Sequence, residues 1–320
     1  MLSAKTPRRR FDLAQVGLAI SVLLTFFISL CLIPQFKNPE NLTNLIIRLT
    51  PLYSVALGQG LVMLVGAIDL SVGASISLVT AIASILMSRS IAEAIIMCCA
   101  AIFAISLFNG IFVGKFNFNP FIVTLSTMYV IKGITLYIRP QPGGVIPKNY
   151  IALVLGRWNN IPIGPIFYLL FLVAIGWVVT YKTIYGRKMF AIGGEKKAAE
   201  YMGIDCSRYM IISYLLSGAF VLFTGLYMAA RIGCGDPAVG EPYTLDSIGA
   251  AALGGTLLTG GKINPLGVLW GSLAFTLINN IFNLLGISIY YQYVFKGIII
   301  VFVLAIPLLS TKMKEIVWGK

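Results

Sequence analysis

The side chains in this sequence that could carry out chemistry are few, and histidine is absent from them. With no histidine in 320 residues, no imidazole can act as a general base or as a zinc ligand. The five cysteines have no metal-ligand spacing, and the sequence has neither a G-x-x-x-x-G-K-[ST] phosphate loop nor a G-x-G-x-x-G segment that opens a helix. We therefore predict no catalytic residue, no metal site and no cofactor bound by this chain.

Acidic, amide and glycine residues instead interrupt long apolar segments. Asp69 lies among glycines in residues 66–73, and Asp246 precedes a segment with two glycine pairs, residues 254–261. Three asparagines also fall inside apolar runs, where an amide is costly unless it is paired or faces a polar cavity. Because the carboxylates are not clustered, these groups are suited to contact a polar solute rather than to transform it.

The composition shows what kind of element must position these groups. Hydrophobic residues make up 58% of the chain and charged residues 11%, and the mean hydropathy is +0.90. A soluble domain has about 45–50% apolar and about 25% charged residues. A chain with so little charge cannot cover its surface in water, so we predict an all-α polytopic membrane protein.

A membrane-spanning helix needs about 20 mostly apolar residues. By this criterion the sequence predicts about ten spans, near 13–33, 44–66, 72–88, 91–113, 120–138, 162–181, 209–229, 246–258, 266–285 and 290–310. The transmembrane domain is then 13–310, between tails at 1–12 and 311–320. Most of the 24 Lys and Arg residues fall on the side of both termini, which the positive-inside rule places in the cytoplasm. Topology thus explains the net charge of +13, and no nucleic-acid partner is needed.

The spans divide into two related halves, 13–138 and 162–310, on either side of an outer loop at 139–161. Two short matches place similar residues at corresponding points: Asp69 with Asp246, and Lys132-Gly133-Ile134 with Lys296-Gly297-Ile298. Five spans per half turn the second half upside down, and such inverted repeats are typical of transporters. We therefore predict two inverted five-helix halves.

The polar and glycine-rich positions are predicted to line a translocation path or its gate. They are Asp69, Ser71, Gly73, Asn109, Asp246, Gly254, Gly255, Thr256, Asn279 and Asn280. Each also has a structural alternative. Asp69 could only cap the next helix, the asparagines could form inter-helical hydrogen bonds, and small residues could only let helices pack closely.

A cytoplasmic loop at 182–208 contains a second group of candidate residues. Good helix formers run from Glu195 to Tyr201, and Gly203 is well placed to end that helix. A short, stiff helix held off the membrane suits docking to a soluble partner, although it could equally lie on anionic lipid. The candidate docking residues are Gly193, Gly194, Glu195, Ala198, Ala199 and Gly203.

These segments, in this order, resemble the permease subunit of bacterial ATP-binding-cassette monosaccharide importers, the ribose, galactose, xylose and autoinducer-2 permease family. The resemblance covers about 45–310 and is carried by Ile68-Asp69-Leu70-Ser71-Val72-Gly73, Tyr185-Gly186-Arg187, Ala191-Ile192-Gly193-Gly194, Leu245-Asp246, Gly254-Gly255-Thr256, Gly260-Gly261 and Lys296-Gly297. The chain departs from the family pattern at Ala67, where glycine is usual, and at Glu195, where asparagine or aspartate is usual.

The resemblance implies a multi-pass protein of the bacterial plasma (inner) membrane. It implies a second permease copy or homologue, an ATPase subunit that carries the ATP and Mg and docks on the coupling loop 182–208, and a periplasmic or lipid-tethered binding protein that delivers the solute. The expected function is to form the path for a monosaccharide or related small solute, without enzymatic activity. A permease of the same architecture for branched-chain amino acids or nucleosides is the alternative, and an ion-coupled secondary transporter is a more distant one.

Overall fold

The computed structural model describes residues 13–159 and 161–318, and within these ranges the chain is helical, with no β-strand. The helices are α1 (Leu13–Leu32), α2 (Pro39–Leu64), α3 (Val72–Leu86), α4 (Ile91–Gly114), α5 (Pro120–Ile138), α6 (Lys148–Leu155), α7 (Ile163–Trp177), α8 (Ile184–Gly194), α9 (Lys196–Tyr201), α10 (Cys206–Ile232), α11 (Glu241–Leu253), α12 (Pro265–Leu284) and α13 (Ile289–Trp318). The predicted tail 1–12 lies outside the described residues, as do the last two residues of the predicted tail 311–320.

Every predicted span corresponds to a helix. Seven described segments are long and apolar enough to cross a membrane: α1, α2, α4, α5, α7 with the π-helical turn that extends it to Lys182, α10 and α12. Three further elements are shorter, namely α3, α11 and the apolar part of α13 over 289–302. The prediction of an all-α polytopic membrane protein is therefore confirmed, while the cytoplasmic placement of the termini stays a prediction.

Three spans begin at the same local signal, an asparagine followed by a proline. The side chains of Asn38, Asn119 and Asn264 each accept a hydrogen bond from a backbone N–H in the first turn of α2, α5 and α12, at 2.9–3.0 Å. Proline at the first helical position loses no hydrogen bond, because that N–H has no acceptor within the helix. These caps fix where each span starts.

The centre of the fold is an antiparallel pair, α2 and α10. Ser54 Oγ on α2 donates to the carbonyl of Phe220 on α10 at 3.0 Å, and Tyr227 OH donates to the carbonyl of Ile47 at 3.1 Å. Residue numbers rise along one helix as they fall along the other, so the two helices run in opposite directions. α10 also packs on α3 and α4, and α2 packs on α11 and α12.

Each of these two helices leads into an irregular segment with the same sequence pattern. Gly66-x-x-Asp69-x-x-Val72-Gly73 follows α2, and Gly233-x-x-Asp236-x-x-Val239-Gly240 follows α10. Both segments open with a glycine in the left-handed region, at φ 80° and 73°. Both aspartates accept a hydrogen bond from the N–H two residues later, at 2.9 and 2.8 Å. The two segments are therefore structural repeats.

The repeats meet where α3 and α11 begin. A Cβ added to Gly240 would lie 1.9 Å from the carbonyl oxygen of Gly73, and one added to Gly73 would lie 2.6 Å from that of Gly240. Equivalent residues touch each other only where a pseudo-two-fold axis passes. Because α2 and α10 are equivalent and antiparallel, these helices and the turns after them form an inverted repeat, while the bounds of the two five-helix halves stay a prediction.

The predicted pairing of Asp69 with Asp246 is wrong. The counterpart of Asp69 is Asp236, and Asp246 lies in the second turn of α11, at the position that Val79 occupies in α3. α11 begins five residues before the apolar run because Pro242 is tolerated in its first turn. Because the first residues of α11 are polar, the apolar run does not mark where this helix begins.

Candidate functional site

The turn between α2 and α3 is held by a buried hydrogen-bonded chain. Asp69 Oδ1 accepts from the N–H of Ser71 at 2.9 Å and from its hydroxyl at 2.6 Å. The amide of Asn109, on α4, donates to Ser71 Oγ at 3.0 Å, and Thr127, on α5, donates to Asn109 Oδ1 at 2.7 Å. The chain joins three elements and gives Asp69 a structural role in its turn, since an aspartate at such a position mimics a backbone turn.

The backbone of this turn is also satisfied by neighbouring side chains. In the orientation that satisfies both of its groups, the Gln59 amide donates to the carbonyl of Asp69 at 3.0 Å and accepts from its N–H at 3.2 Å. Tyr214 OH donates to the carbonyl of Ile68 at 3.0 Å. Irregular backbone within a membrane protein survives only where protein or water satisfies it. Gln59 and Tyr214 do so here, and neither is among the predicted path residues.

A second cluster joins the end of α2 to the glycine pair that precedes α12 and to the end of α8. The N–H of Gly261 donates to the carbonyl of Leu64 at 2.9 Å. A Cβ added to Gly193 would lie 1.8 Å from that carbonyl oxygen and 2.4 Å from the nitrogen of Gly261. Because all three groups are backbone, α8 is seated directly on the end of α2.

The predicted short helix of the loop 182–208 is present as α9. It begins after Glu195, and Gly203 ends it with φ 75°. Ala199 is fully buried and anchors the helix, whereas Ala198 faces outward with the exposed side chains of Tyr201 and Met202. Tyr201 is 91% exposed, so most of its aromatic ring is left uncovered.

The remaining path candidates are divided between packing positions and a cavity. Gly254 packs against α12, since an added Cβ would lie 2.6 Å from the backbone of Gly267, and Gly255 follows it with φ 87°. Thr256 is buried. Asn280 exchanges hydrogen bonds with the side chain of Asn41, at 2.7 and 3.3 Å, and so joins α12 to α2.

Asp246 and Asn279 instead line a polar cavity of about 310 Å³ between the second half and α2. Lys296 Nζ lies 2.8 Å from Asp246 Oδ2, and both side chains are largely buried. Asn279 Oδ1 is buried and has no hydrogen-bond partner among the described residues. The other polar residues of the wall, which sequence reasoning missed, are Arg48, Arg231, Tyr243, Thr276, Asn283, Gln292 and Tyr293.

The predicted path residues therefore lie in separate places rather than along one visible channel. Asp69, Ser71 and Asn109 share the buried chain, and Asp246 and Asn279 share the cavity. The missed arginine Arg48 carried a signal, because it falls inside a long apolar run where a charge is expensive. The other missed residues join the cavity only through tertiary packing.

Comparison with known proteins identifies the class. Residues 41–304 match the family described as the branched-chain amino acid transport system / permease component. This match covers most of the chain, and the chain belongs to that family of membrane permeases.

Among individual proteins, the chain is 36% identical over 306 residues to the ribose import permease protein RbsC of Bacillus subtilis (strain 168), covering 93% of this chain and 95% of that protein. It is 32% identical over 328 residues to the galactose/methyl galactoside import permease protein MglC of Escherichia coli (strain K12), covering 95% of this chain and 96% of that protein. No solved structure matches the chain. The relatives are import permeases, in agreement with the resemblance seen in the motifs.

Proposed function

We propose that this chain is the membrane-spanning subunit of an ATP-driven importer in the bacterial inner membrane and forms the path for a monosaccharide. The observation that carries the proposal is the similarity to ribose and galactose import permeases along nearly the whole chain. The polar cavity agrees with it, because amide and hydroxyl groups suit a polyhydroxylated solute. The chain itself performs no covalent step.

The ATPase subunit, which would bind the ATP and Mg, docks on α9. This short helix presents the exposed side chains of Tyr201 and Met202, and Ala199 fixes it to the body of the protein. Gly193 connects the same loop to the end of α2. Closure of the ATPase would move α9, and the seated backbone of α8 would pass the movement to the spans.

A second permease, identical or homologous, covers the exposed face of α5. Lys132 on this span forms an ion pair with Glu241 at the start of α11, and the two side chains are 45% and 52% exposed. Charged groups within a span face protein or water rather than lipid. The pair therefore marks a face that another subunit or the water-filled path covers.

The two alternative functions differ in what supports them. The family description names branched-chain amino acids, so an importer of the same architecture for amino acids remains the second candidate. An ion-coupled transporter would need a free carboxylate within a span, but Asp246 is paired with Lys296 and Asp69 is hydrogen-bonded within its turn. Neither carboxylate is available to an ion in this conformation.

The test is a native pull-down of the detergent-solubilised chain, followed by mass spectrometry. We expect an ATPase subunit and a soluble binding protein to be recovered, and the binding protein to bind a pentose or hexose rather than an amino acid. The double variant Tyr201→Ala/Met202→Ala should lose the ATPase. Phe167→Ala is the matched control, because Phe167 is another aromatic residue that is largely exposed, at 70%, but lies on α7, to which no proposed partner is assigned.

Recovery of the chain alone, under conditions that preserve other complexes, would contradict the importer. Uptake in cells that stops with a protonophore but continues after ATP depletion would favour the secondary transporter. A binding protein that binds only leucine or a similar amino acid would support the importer architecture but would show that the substrate is an amino acid and not a monosaccharide.

A further inference from the structure

Three of the four charged residues in the wall of the cavity are not required by the fold. In the register that aligns Gly73 with Gly240, the charged residues Arg48, Arg231 and Asp246 correspond to Leu215, Leu64 and Val79. In each case the equivalent helix of the opposite half has an aliphatic residue at this position. Charges within spans are expensive and mark pathways or binding sites. The second half and α2 have acquired these charges for a reason other than packing.

The cavity carries an excess of positive charge. Asp246 and Lys296 neutralise each other at 2.8 Å. Among the described residues neither Arg48 nor Arg231 forms an ion pair, and both line the same cavity. The one carboxylate in the wall of the cavity, Asp246, is already paired with Lys296, so the two guanidinium groups are suited to an external anionic group, which they can bind with several N–H donors.

The rest of the wall is suited to hydroxyl groups. Asn279 Oδ1 is a buried acceptor that has no partner within the described chain. Gln292 donates to Asn283 at 3.2 Å, and the two amides lie side by side in the wall. A volume of about 310 Å³ is at the small end of the range for ligand sites, about 300–1,000 Å³, and suits a single sugar rather than an oligosaccharide.

We propose that this cavity binds a monosaccharide that carries one negatively charged group, a carboxylate or a phosphate. The anionic group lies between Arg48 and Arg231, and the sugar hydroxyls reach Asn279 and the amides beside it. This inference rests on the proposed function, since it names the substrate class of the same path.

The test measures binding to the purified full-length chain in nanodiscs of phosphatidylcholine. The probes are glucuronate, glucose 6-phosphate and glucose. The affinity of each is measured by titration with saturation-transfer NMR. We expect at least one of the two charged sugars to bind ten times more tightly than glucose or better, with an affinity that falls as salt rises from about 0.05 to about 0.5 M, because salt screens charge pairs. The charged sugar that binds more tightly shows whether the site prefers a carboxylate or a phosphate.

The variants Arg48→Gln and Arg48→Gln/Arg231→Gln should lose that preference and its salt dependence. Arg89→Gln is the matched control, because Arg89 is an exposed arginine that pairs with Glu93 outside the cavity. If the double variant does not fold, Arg48→Gln suffices, since Arg48 lies at the exposed edge of the cavity. Circular dichroism and gel filtration report folding.

Equal affinity of the three sugars, or an unchanged preference in Arg48→Gln, overturns the inference. Loss of sugar binding in nanodiscs that contain phosphatidylglycerol also overturns it, because the arginines would then bind a lipid headgroup. The pull-down keeps the two proposals separate. An ATPase recovered with a chain that ignores sugar charge refutes only this inference, whereas charged-sugar binding by a chain without partners refutes only the importer.

Discussion

Two neighbouring glycines in the coupling loop allow a sharp test of how that loop is attached. Both Gly193 and Gly194 belong to the end of α8, but their surroundings differ completely. A Cβ at Gly193 would lie 1.8 Å from the carbonyl oxygen of Leu64, whereas a Cβ at Gly194 would have nothing within 4 Å. We therefore expect Gly193→Ala to be damaging and Gly194→Ala to be harmless.

The size of the effect follows from what would have to move. Ordinary van der Waals contact begins at 3.4 Å, so the end of α8 would have to retreat from α2 by about 1.6 Å. Both obstacles, Leu64 and Gly261, are backbone groups joined by a hydrogen bond of 2.9 Å, so no side chain can rotate away. Overpacking costs about 1–3 kcal/mol, and a backbone obstacle places Gly193→Ala at or above the upper end. Gly194→Ala should stabilise α8 by at most about 1 kcal/mol.

The assay compares thermal unfolding of the two variants in detergent with ATPase activity of the assembled transporter. We expect Gly193→Ala to lower the melting temperature, or to retain ATPase activity while uptake falls, because α8 no longer bears on α2. Gly194→Ala should unfold at the wild-type temperature or slightly above it and should keep the wild-type ATPase activity and uptake. Equal behaviour of the two variants would refute the seating of α8 on α2.

Three further predictions concern the turn, the ion pair and the coupling helix. Asp69→Asn should keep its stability, because an amide oxygen can accept both hydrogen bonds from Ser71, whereas Asp69→Ala should lose about 0.5–2 kcal/mol in thermal unfolding; a stable Asp69→Asn variant without uptake would assign the charge to the path. Lys296→Met should destabilise the chain by about 3–5 kcal/mol, because it leaves Asp246 buried without a partner, and Asp246→Val added to it should restore most of that loss; an unaffected single variant would contradict the buried pair. Gly203→Pro should uncouple ATPase activity from uptake with the spans intact, because proline requires φ near −65° where Gly203 has 75°; coupled transport in this variant would count against α9 as the docking helix.

The sequence could predict the elements whose signals are local. Each predicted span corresponds to a helix, because about twenty apolar residues are legible without tertiary information. α9 was predicted within one residue, since its helix formers and Gly203 are adjacent in the chain. In contrast, the partner of Asp69 was misplaced, because the apolar run of α11 starts five residues after the helix itself.

The cavity could not be predicted, because its wall combines distant parts of the chain. Arg48 on α2 and Lys296 on α13 face one space only after the two halves pack together. A single sequence shows that a charge lies in a span but not which neighbour it faces. The match between residues 66–73 and 233–240 was legible, however, and it would have identified Asp236 and the axis at Gly73 and Gly240.

The inverted repeat also separates residues that the fold needs from residues that function needs. Where both halves keep a residue, as at Gly73 and Gly240, the contact at the axis explains it and packing is sufficient. Where the halves differ, as with Asp246 against Val79, the same backbone accepts an aliphatic residue, so the charge has another role. By this criterion Asp69, which has a counterpart in an equivalent turn, belongs to the architecture. The arginines of the cavity have leucines as counterparts, so we assign them to binding of the solute.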